Sequence, residues 1–177
     1  MFLQEQDACS EVSIVVLVGD APAQRAKLAP LLHYGVQEAQ GEQQLTPLGG
    51  FYTLQALHTG HDGSATTIHA SSAEDALFRF ELLARQSMRD LTVVDLRSYI
   101  ARVFDLVVVL RRLRTGLRVV RQVAALDGLT DGGTYRLTDV FTADLARPGE
   151  PRFVRNEAWR PSPRLAARLE SEGERWS

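Results

Sequence analysis

The spacing of hydrophobic and polar positions divides the chain into segments with different predicted structures. Residues 13–18 (SIVVLV) form a short apolar run of mostly β-branched residues, which is typical of a buried parallel strand. Residues 23–32 carry apolar side chains at helical spacing, and Pro22 stands at the predicted helix start. The polar, glutamine-rich stretch 35–50 predicts a loop, and residues 51–57 return to helical spacing.

Two amphipathic helices with similar N-terminal caps are predicted in the middle of the chain. Ser72 is followed three residues later by Asp75, which is a capping-box pattern with aspartate in the place of glutamate. Apolar residues then recur at helical spacing and predict a helix over 73–87. Thr92 and Asp95 repeat the cap before a second run of helical spacing, so a second helix is expected directly after the first.

The second half of the chain has the pattern of antiparallel strands. Residues 105–113 and 117–126 are apolar, β-branched runs separated by 114–116 (RTG), which predicts a hairpin. A further turn at 131–133 (DGG) precedes a third predicted strand over 134–141. We therefore expect strands paired with their neighbours along the chain in this half.

Shorter predicted elements complete the order. Residues 66–70 are compatible with a strand before the first capped helix. The tail from Gly149 is rich in proline and arginine, and it ends in a predicted helix from about Ser162 to Glu172. An α/β-like first part followed by antiparallel strands predicts a mixed α/β fold.

Composition narrows the class of protein. With 177 residues, 45% of them hydrophobic and 24% charged, the chain predicts one globular domain or one domain with a small appendage. A net charge of −2 gives no global attraction to nucleic acid or to anionic membrane. The single cysteine, Cys9, fits a reducing compartment, and the acidic N-terminus does not resemble a signal peptide. We expect a cytoplasmic protein with no nucleic-acid partner.

The densest group of chemically active side chains lies in residues 60–70, GHDGSATTIHA. Gly60 and Gly63 permit tight turns and a close approach of the backbone to a ligand. The hydroxyl groups of Ser64 and Thr67 can donate to phosphate oxygens. The sequence therefore predicts a ligand-binding segment, with a phosphate as the candidate ligand.

The histidines in and near this segment allow two other interpretations. Each histidine alone is more often a packed or exposed residue than a functional one. His58, His61, Asp62 and His69 could also supply nitrogen and oxygen ligands to a metal ion. No second cluster closes such a ligand shell, however, so we expect no metal site.

The segment resembles the His box, GHxGSxxTxHA, of the hexameric type II and type IV secretion ATPases. Residues 71–81 (SSAEDALFRFE) are similar to the cap and the DALxRLE helix that follow it in that family. Residues 54–59 (LQALHT) look like the lead-in of the tight-adherence (Flp-type) pilus-assembly branch. The resemblance runs from about Gly49 to Gly173, and it includes the strand pair at 104–113 (FDLVVVLRRL) with Gly116 and Arg118, and 138–141 (TDVF), Phe153, Arg160 and Pro161 near the end.

The resemblance implies a fold and a set of site residues. It implies a truncated RecA-like P-loop NTPase C-terminal core, with an antiparallel hairpin and strand extension and a C-terminal helix. The domains would be a degenerate strand–turn–helix with its linker over 1–48 and a secretion-ATPase-like region over 49–177. His61 and His69 would be catalytic, near the nucleotide γ-phosphate or at a subunit interface. Gly60, Gly63, Ser64 and Thr67 would shape the nucleotide-binding loop. Five arginines would decorate the hairpin, either as a specific site or as a solvated face that protects a sheet edge: Arg111, Arg112, Arg114, Arg118 and Arg121.

The phosphate-binding loop of this family is degenerate in the chain. A Walker A motif, GxxxxGK[ST], wraps phosphates with backbone N–H groups and adds a lysine and a Mg²⁺-binding hydroxyl. Gly19 holds the first position, but Gln24 replaces the second glycine, Arg25 the lysine and Ala26 the hydroxyl residue. Residues 45–48 (LTPL) also lack the acid of a Walker B strand. The strand, loop and helix around Gly19 are equally compatible with an ordinary strand–turn–helix unrelated to a P-loop.

Three functions are compatible with this combination. The first is a catalytically degenerate partner or modulator of a type II/IV secretion or Flp-type pilus motor. The second is an ATPase subunit that hydrolyses ATP only with a complementing subunit, with His61 and His69 acting in trans. The third is a structural or interaction domain that reuses the scaffold without nucleotide. The resemblance implies ATP and Mg²⁺ as cofactors, secretion or pilus-assembly ATPase subunits and an inner-membrane platform protein as partners, homo- or hetero-oligomers, and a place in the cytoplasm or at the inner-membrane surface.

Overall fold

The structure is a computed structural model that describes residues 12–18, 54, 64–113, 118–144 and 152–171. Within these ranges, six strands form one sheet, accompanied by three helices of nine or more residues. No helix in these ranges is long and apolar enough to span a bilayer. The elements in chain order are β1 (Val12–Val18), β2 (Ser64–His69), α1 (Ala73–Ser87), α2 (Val93–Val103), β3 (Leu106–Arg112), β4 (Arg118–Leu129), β5 (Tyr135–Asp144), β6 (Arg152–Arg155) and α3 (Pro163–Ser171).

The sheet has the order β2-β1-β3-β4-β5-β6, and every neighbouring pair is antiparallel. Strand β1 lies between β2 and β3 and runs opposite to both. Strands β2 and β3 therefore point in the same direction, and α1 and α2 form the crossover that connects them. The crossover thus passes over β1, the strand that lies between its two ends.

The prediction that residues 13–18 form a parallel strand is wrong, since β1 pairs antiparallel on both sides. An unbroken apolar run indicates a strand inside a sheet, and an internal antiparallel strand meets that condition as well as a parallel one. The mixed α/β class is confirmed. A RecA-like P-loop core is not confirmed by these strands, and the predicted domain boundary at residue 48 lies outside the described residues.

Both predicted middle helices are confirmed, together with their caps. Ser72 Oγ accepts a hydrogen bond of 3.1 Å from the backbone N–H of Asp75, at the start of α1. Thr92 Oγ1 accepts one of 3.2 Å from the backbone N–H of Asp95, at the start of α2. Each cap satisfies a backbone donor that has no partner inside the helix.

The antiparallel half is confirmed as well. Strands β3 and β4 form the predicted hairpin, although its turn at 114–117 lies outside the described residues. Gly133 has φ = 72°, a left-handed conformation that favours glycine in the turn between β4 and β5. The predicted C-terminal helix is α3. Hydropathy alone did not predict β6, because this short strand, RFVR, has arginines at both ends.

Helices α1 and α2 cover one face of the sheet. Leu77 and Phe80 of α1 and Ile100 of α2 are almost fully buried, and they belong to one cluster with Val107 of β3. The rings of Phe80 and Phe104 meet edge to face, with centroids 4.9 Å apart. Burying side chains of this size stabilises a fold by about 1.5–3 kcal/mol each. Leu54, the one described residue of the predicted 51–57 helix, is buried in the same cluster.

The C-terminal segment packs on the opposite face. Ala125 of β4 clusters with Trp159 and Leu165, whereas its neighbours Ala124 and Leu126 belong to the cluster under α1 and α2. Successive residues of a strand point to opposite faces, so the sheet is covered on both sides. The apolar character of β4 follows from this double burial.

Arg164 of α3 ties the C-terminal segment to the end of α2. Its Nη2 atom donates to Asp105 Oδ1 at 2.6 Å and to the carbonyl oxygen of Phe104 at 2.8 Å, while its Nη1 atom donates to the carbonyl oxygen of Arg102. The Asp105 side chain is only 1% exposed. One guanidinium therefore neutralises a buried carboxylate and satisfies carbonyls that the end of a helix leaves without partners.

We predict that Arg164→Met lowers the free energy of unfolding by about 3 kcal/mol, because it leaves the buried Asp105 carboxylate without its cation. Urea denaturation followed by circular dichroism measures this change. Arg160→Met is the matched control, since the Nη1 atom of exposed Arg160 donates only to the nearby carbonyls of Glu157 and Trp159. Equal losses for the two variants would contradict the assigned role of Arg164.

Candidate functional site

The C-terminal end of β2 and the first turn of α1 form the part of the His-box segment that the structure describes. His69 is the last residue of β2, it is half-buried, and its Cα pairs with that of Ser13 in β1. Ile68 belongs to the cluster beneath the helices, so the adjacent His69 lies on the opposite face of the sheet. Among the six described strands, β2 is the outermost on this side of the sheet.

The first turn of α1 carries its own negative charge. The hydroxyl of Ser71 donates to the Asp75 carboxylate, and Ser72 accepts from the backbone N–H of Asp75. Glu74 and Asp75 are both exposed in this turn. A helix N-terminus attracts anions, but two carboxylates already occupy this position and repel a phosphate. Taken alone, the start of α1 is therefore a poor phosphate cradle.

The predicted site residues are only partly covered by the structure. The backbones of Ser64 and Thr67 lie in β2, in register with Val18 and Val15 of β1. The structure thus brings Ser64, Thr67 and His69 onto one strand, next to the apolar strand that precedes the predicted phosphate loop. The predicted residues outside the described ranges are His58, Gly60, His61, Asp62 and Gly63 of the His-box region, and Gly19, Arg25 and Ala26 of the phosphate loop.

The hairpin arginines do not protect a sheet edge. Strands β3 and β4 lie inside the sheet, so the edge interpretation is wrong. Arg112 and Arg121 are exposed, and Arg111 is half-buried. Arg112 pairs in register with Arg118, which puts two residues of like charge directly opposite each other. Arg114 lies outside the described residues.

A buried polar cluster that the sequence patterns did not predict joins α1, α2 and the turn between β4 and β5. The Glu81 side chain is 3% exposed, and its Oε2 atom lies 2.8 Å from Arg97 Nε. Tyr135 donates its hydroxyl to the same carboxylate oxygen at 3.4 Å. Arg97 Nη1 donates to the carbonyl oxygen of Gly133 at 3.0 Å, and the guanidinium carbon lies 6.0 Å from the centre of the Tyr135 ring.

The electrostatics of this cluster shift two pKa values. Burial raises the pKa of the Tyr135 hydroxyl, and the negative charge of Glu81 raises it further, against a smaller opposing effect of Arg97. The hydrogen bond to Glu81 raises the pKa of Arg97. The signal for the cluster in the sequence was Glu81 itself, a charged residue on the otherwise apolar face of α1.

Comparisons with known proteins point to secretion systems. No protein-family model matches the chain. It is similar to the type IV secretion system protein VirB11 of Bartonella quintana, with 33% identity over 79 residues, which are 44% of this chain and 22% of VirB11. It is also similar to the conjugal transfer protein TrbB of Rhizobium radiobacter, with 37% identity over 75 residues, or 42% of this chain and 22% of TrbB.

A third relative is the type IV secretion system protein PtlH of Bordetella pertussis, 39% identical over 84 residues, which are 45% of this chain and 24% of PtlH. The chain thus spans about a quarter of the length of the curated relatives it matches. These similarities support the resemblance to type IV secretion ATPases. The assignment to the Flp-type pilus branch and the degeneracy of the phosphate loop stay predictions.

We predict that Tyr135→Phe reduces the loss of stability at alkaline pH. Tyrosine ionises near pH 10 in an unfolded chain, and the folded pKa of Tyr135 is higher, so its contribution is present below pH 10 and is lost as the pH rises. Between pH 8 and pH 11 this difference lowers the free energy of unfolding by about 1.4 kcal/mol in the wild type. Urea denaturation of both proteins at the two pH values tests it, and identical pH dependences would contradict a shifted Tyr135.

Proposed function

We propose that this chain is a secretion-ATPase-like component of a type IV secretion or related pilus-assembly machine, in which it acts as a catalytically degenerate partner or modulator of the motor. The similarity to VirB11, TrbB and PtlH supports the assignment to such a secretion machine. The observation that carries the partner role is a contrast within the chain: capped helices and paired buried carboxylates follow the His box, whereas the predicted phosphate loop lacks its lysine.

The sequence of the predicted phosphate loop supports the second half of this contrast, the missing lysine. The 177 residues contain no GxxxxGK[ST] sequence. Phosphoryl transfer depends on a lysine, a metal ion and backbone donors that stabilise the charge on the transferred group. With Gln24, Arg25 and Ala26 at the decisive positions, we expect this chain alone to bind Mg²⁺–ATP weakly and not to hydrolyse it.

The buried carboxylates support the first half of the contrast, the intact scaffold. Glu81 is held by Arg97 and Tyr135, and Asp105 is held by Arg164. Carboxylates engaged in this way stabilise the crossover between β2 and β3, and they are not available to bind a metal ion or to activate water. The charged groups inside this region thus serve the packing of the scaffold, which is what a partner domain requires.

The proposal places the chain beside nucleotide-hydrolysing subunits. Its partners would be secretion or pilus-assembly ATPase subunits and an inner-membrane platform protein, at the cytoplasmic surface of the inner membrane. ATP and Mg²⁺ would be bound mainly by those subunits. The Flp-type pilus machine is the specific branch that we propose, from the lead-in sequence at 54–59.

We predict that the chain co-purifies with a full-length secretion ATPase encoded in the same genome and changes the ATP turnover of that enzyme at least twofold. The chain alone should show no turnover, and millimolar Mg²⁺–ATP should leave its melting temperature unchanged. A ligand at a hundred times its dissociation constant would instead add about 2.7 kcal/mol to the stability.

The variant His69→Ala separates this role from catalysis in trans. A partner role predicts co-purification and an effect on turnover that do not depend on the imidazole. If the mixture hydrolyses ATP and His69→Ala abolishes that activity, the chain completes an active site. If no such ATPase binds the chain or changes its turnover, the partner role is wrong.

A further inference from the structure

Helix α1 exposes two large apolar side chains on the face that points away from the sheet. Phe78 is 51% exposed and Leu82 is 44% exposed, although both belong to a helix whose other face is fully packed. They are four residues apart, so their side chains lie next to each other, one turn apart along the helix. Such a pair forms a small apolar patch on the surface of the protein.

The apolar pair is the centre of a longer exposed stripe. Asp75, Phe78, Leu82 and Arg85 of α1 follow one another at intervals of three, four and three residues, and all of them are exposed. This is the spacing of the seam along which two helices pack side by side. We call these four residues the α1 seam. It is acidic at its first position, apolar in the middle and basic at its end.

We propose that the α1 seam is a self-docking surface, through which two copies of this chain pair in an antiparallel orientation about a twofold axis. The midpoint between Asp75 and Arg85 along the helix is residue 80, which is also the midpoint between Phe78 and Leu82. An antiparallel pair centred there places Phe78 against Leu82 of the second copy and Asp75 against Arg85 of the second copy. Both contacts then occur twice, as a twofold interface requires.

The charges at the two ends of the α1 seam favour the antiparallel orientation of two copies. In a parallel pair, Asp75 would face Asp75 and Arg85 would face Arg85, and like charges at such short distances repel. The antiparallel pair replaces both repulsions with attractions.

A single helix pair buries a small area, so we expect a reversible dimer with a dissociation constant in the micromolar range. The experiment is sedimentation velocity of the full chain between about 5 and 500 μM. The wild type should shift from monomer to dimer over this range. Leu82→Asp removes the apolar centre, and Arg85→Glu places a carboxylate against Asp75, so each should raise the dissociation constant at least tenfold.

The matched control is Arg79→Glu, which makes the same change of charge as Arg85→Glu on the same helix. Arg79 is exposed but lies about a quarter turn around the helix from the apolar middle of the α1 seam, Phe78 and Leu82. It should leave the dissociation constant within about twofold of the wild type. Far-ultraviolet circular dichroism checks that every variant keeps its helices.

A charge exchange tests the orientation. Asp75→Arg combined with Arg85→Glu restores opposite charges in the antiparallel pair, so it should regain most of the dimerisation that Arg85→Glu loses. A chain that stays monomeric at every concentration would overturn the proposal. So would an oligomer that is insensitive to Leu82→Asp, or a double variant no better than Arg85→Glu.

Discussion

The buried carboxylate of Glu81 is the constraint on which the arrangement of α1, α2 and the β4–β5 turn depends. A charge removed from water has to be paired and hydrogen-bonded, or it destabilises the fold by several kcal/mol. Arg97 of α2 supplies the pair at 2.8 Å, and its second nitrogen reaches the carbonyl of Gly133 in the turn. One ion pair therefore fixes the relative position of two helices and a hairpin, which apolar packing alone would specify less sharply.

Asp105 imposes the same requirement at the other end of the crossover. Arg164 meets it from α3, so the end of α2, the start of β3 and the C-terminal segment are held at one point. The two arginines lie on opposite sides of the predicted antiparallel hairpin in sequence, and neither belongs to the arginine group that the sequence brought to attention. The arginines that pair with buried carboxylates are therefore not the arginines that cluster in the sequence of the hairpin.

The sequence predicted the helices and strands better than it predicted how they pair and pack against each other. Capping pairs such as Ser72 and Asp75 are local and act through a few backbone atoms, so they located both middle helices. The direction of β1 depends on strands distant in sequence, and an apolar run reports burial without direction. Glu81 and Arg97 were not predicted as a pair, because they lie on different helices and their partnership exists only after the helices pack. Of the predicted site, the strand expected over 66–70 is β2, which ends at His69, while the predicted phosphate-loop residues lie outside the described ranges.

The α1 helix links the candidate site to the proposed contact between copies. Asp75 contributes to the negative charge that makes the first turn of α1 a poor place for a phosphate, and it is also the acidic end of the α1 seam. When two copies pair as proposed, Arg85 of the second copy neutralises Asp75. Neutralising the first turn increases the attraction of the helix N-terminus for anions.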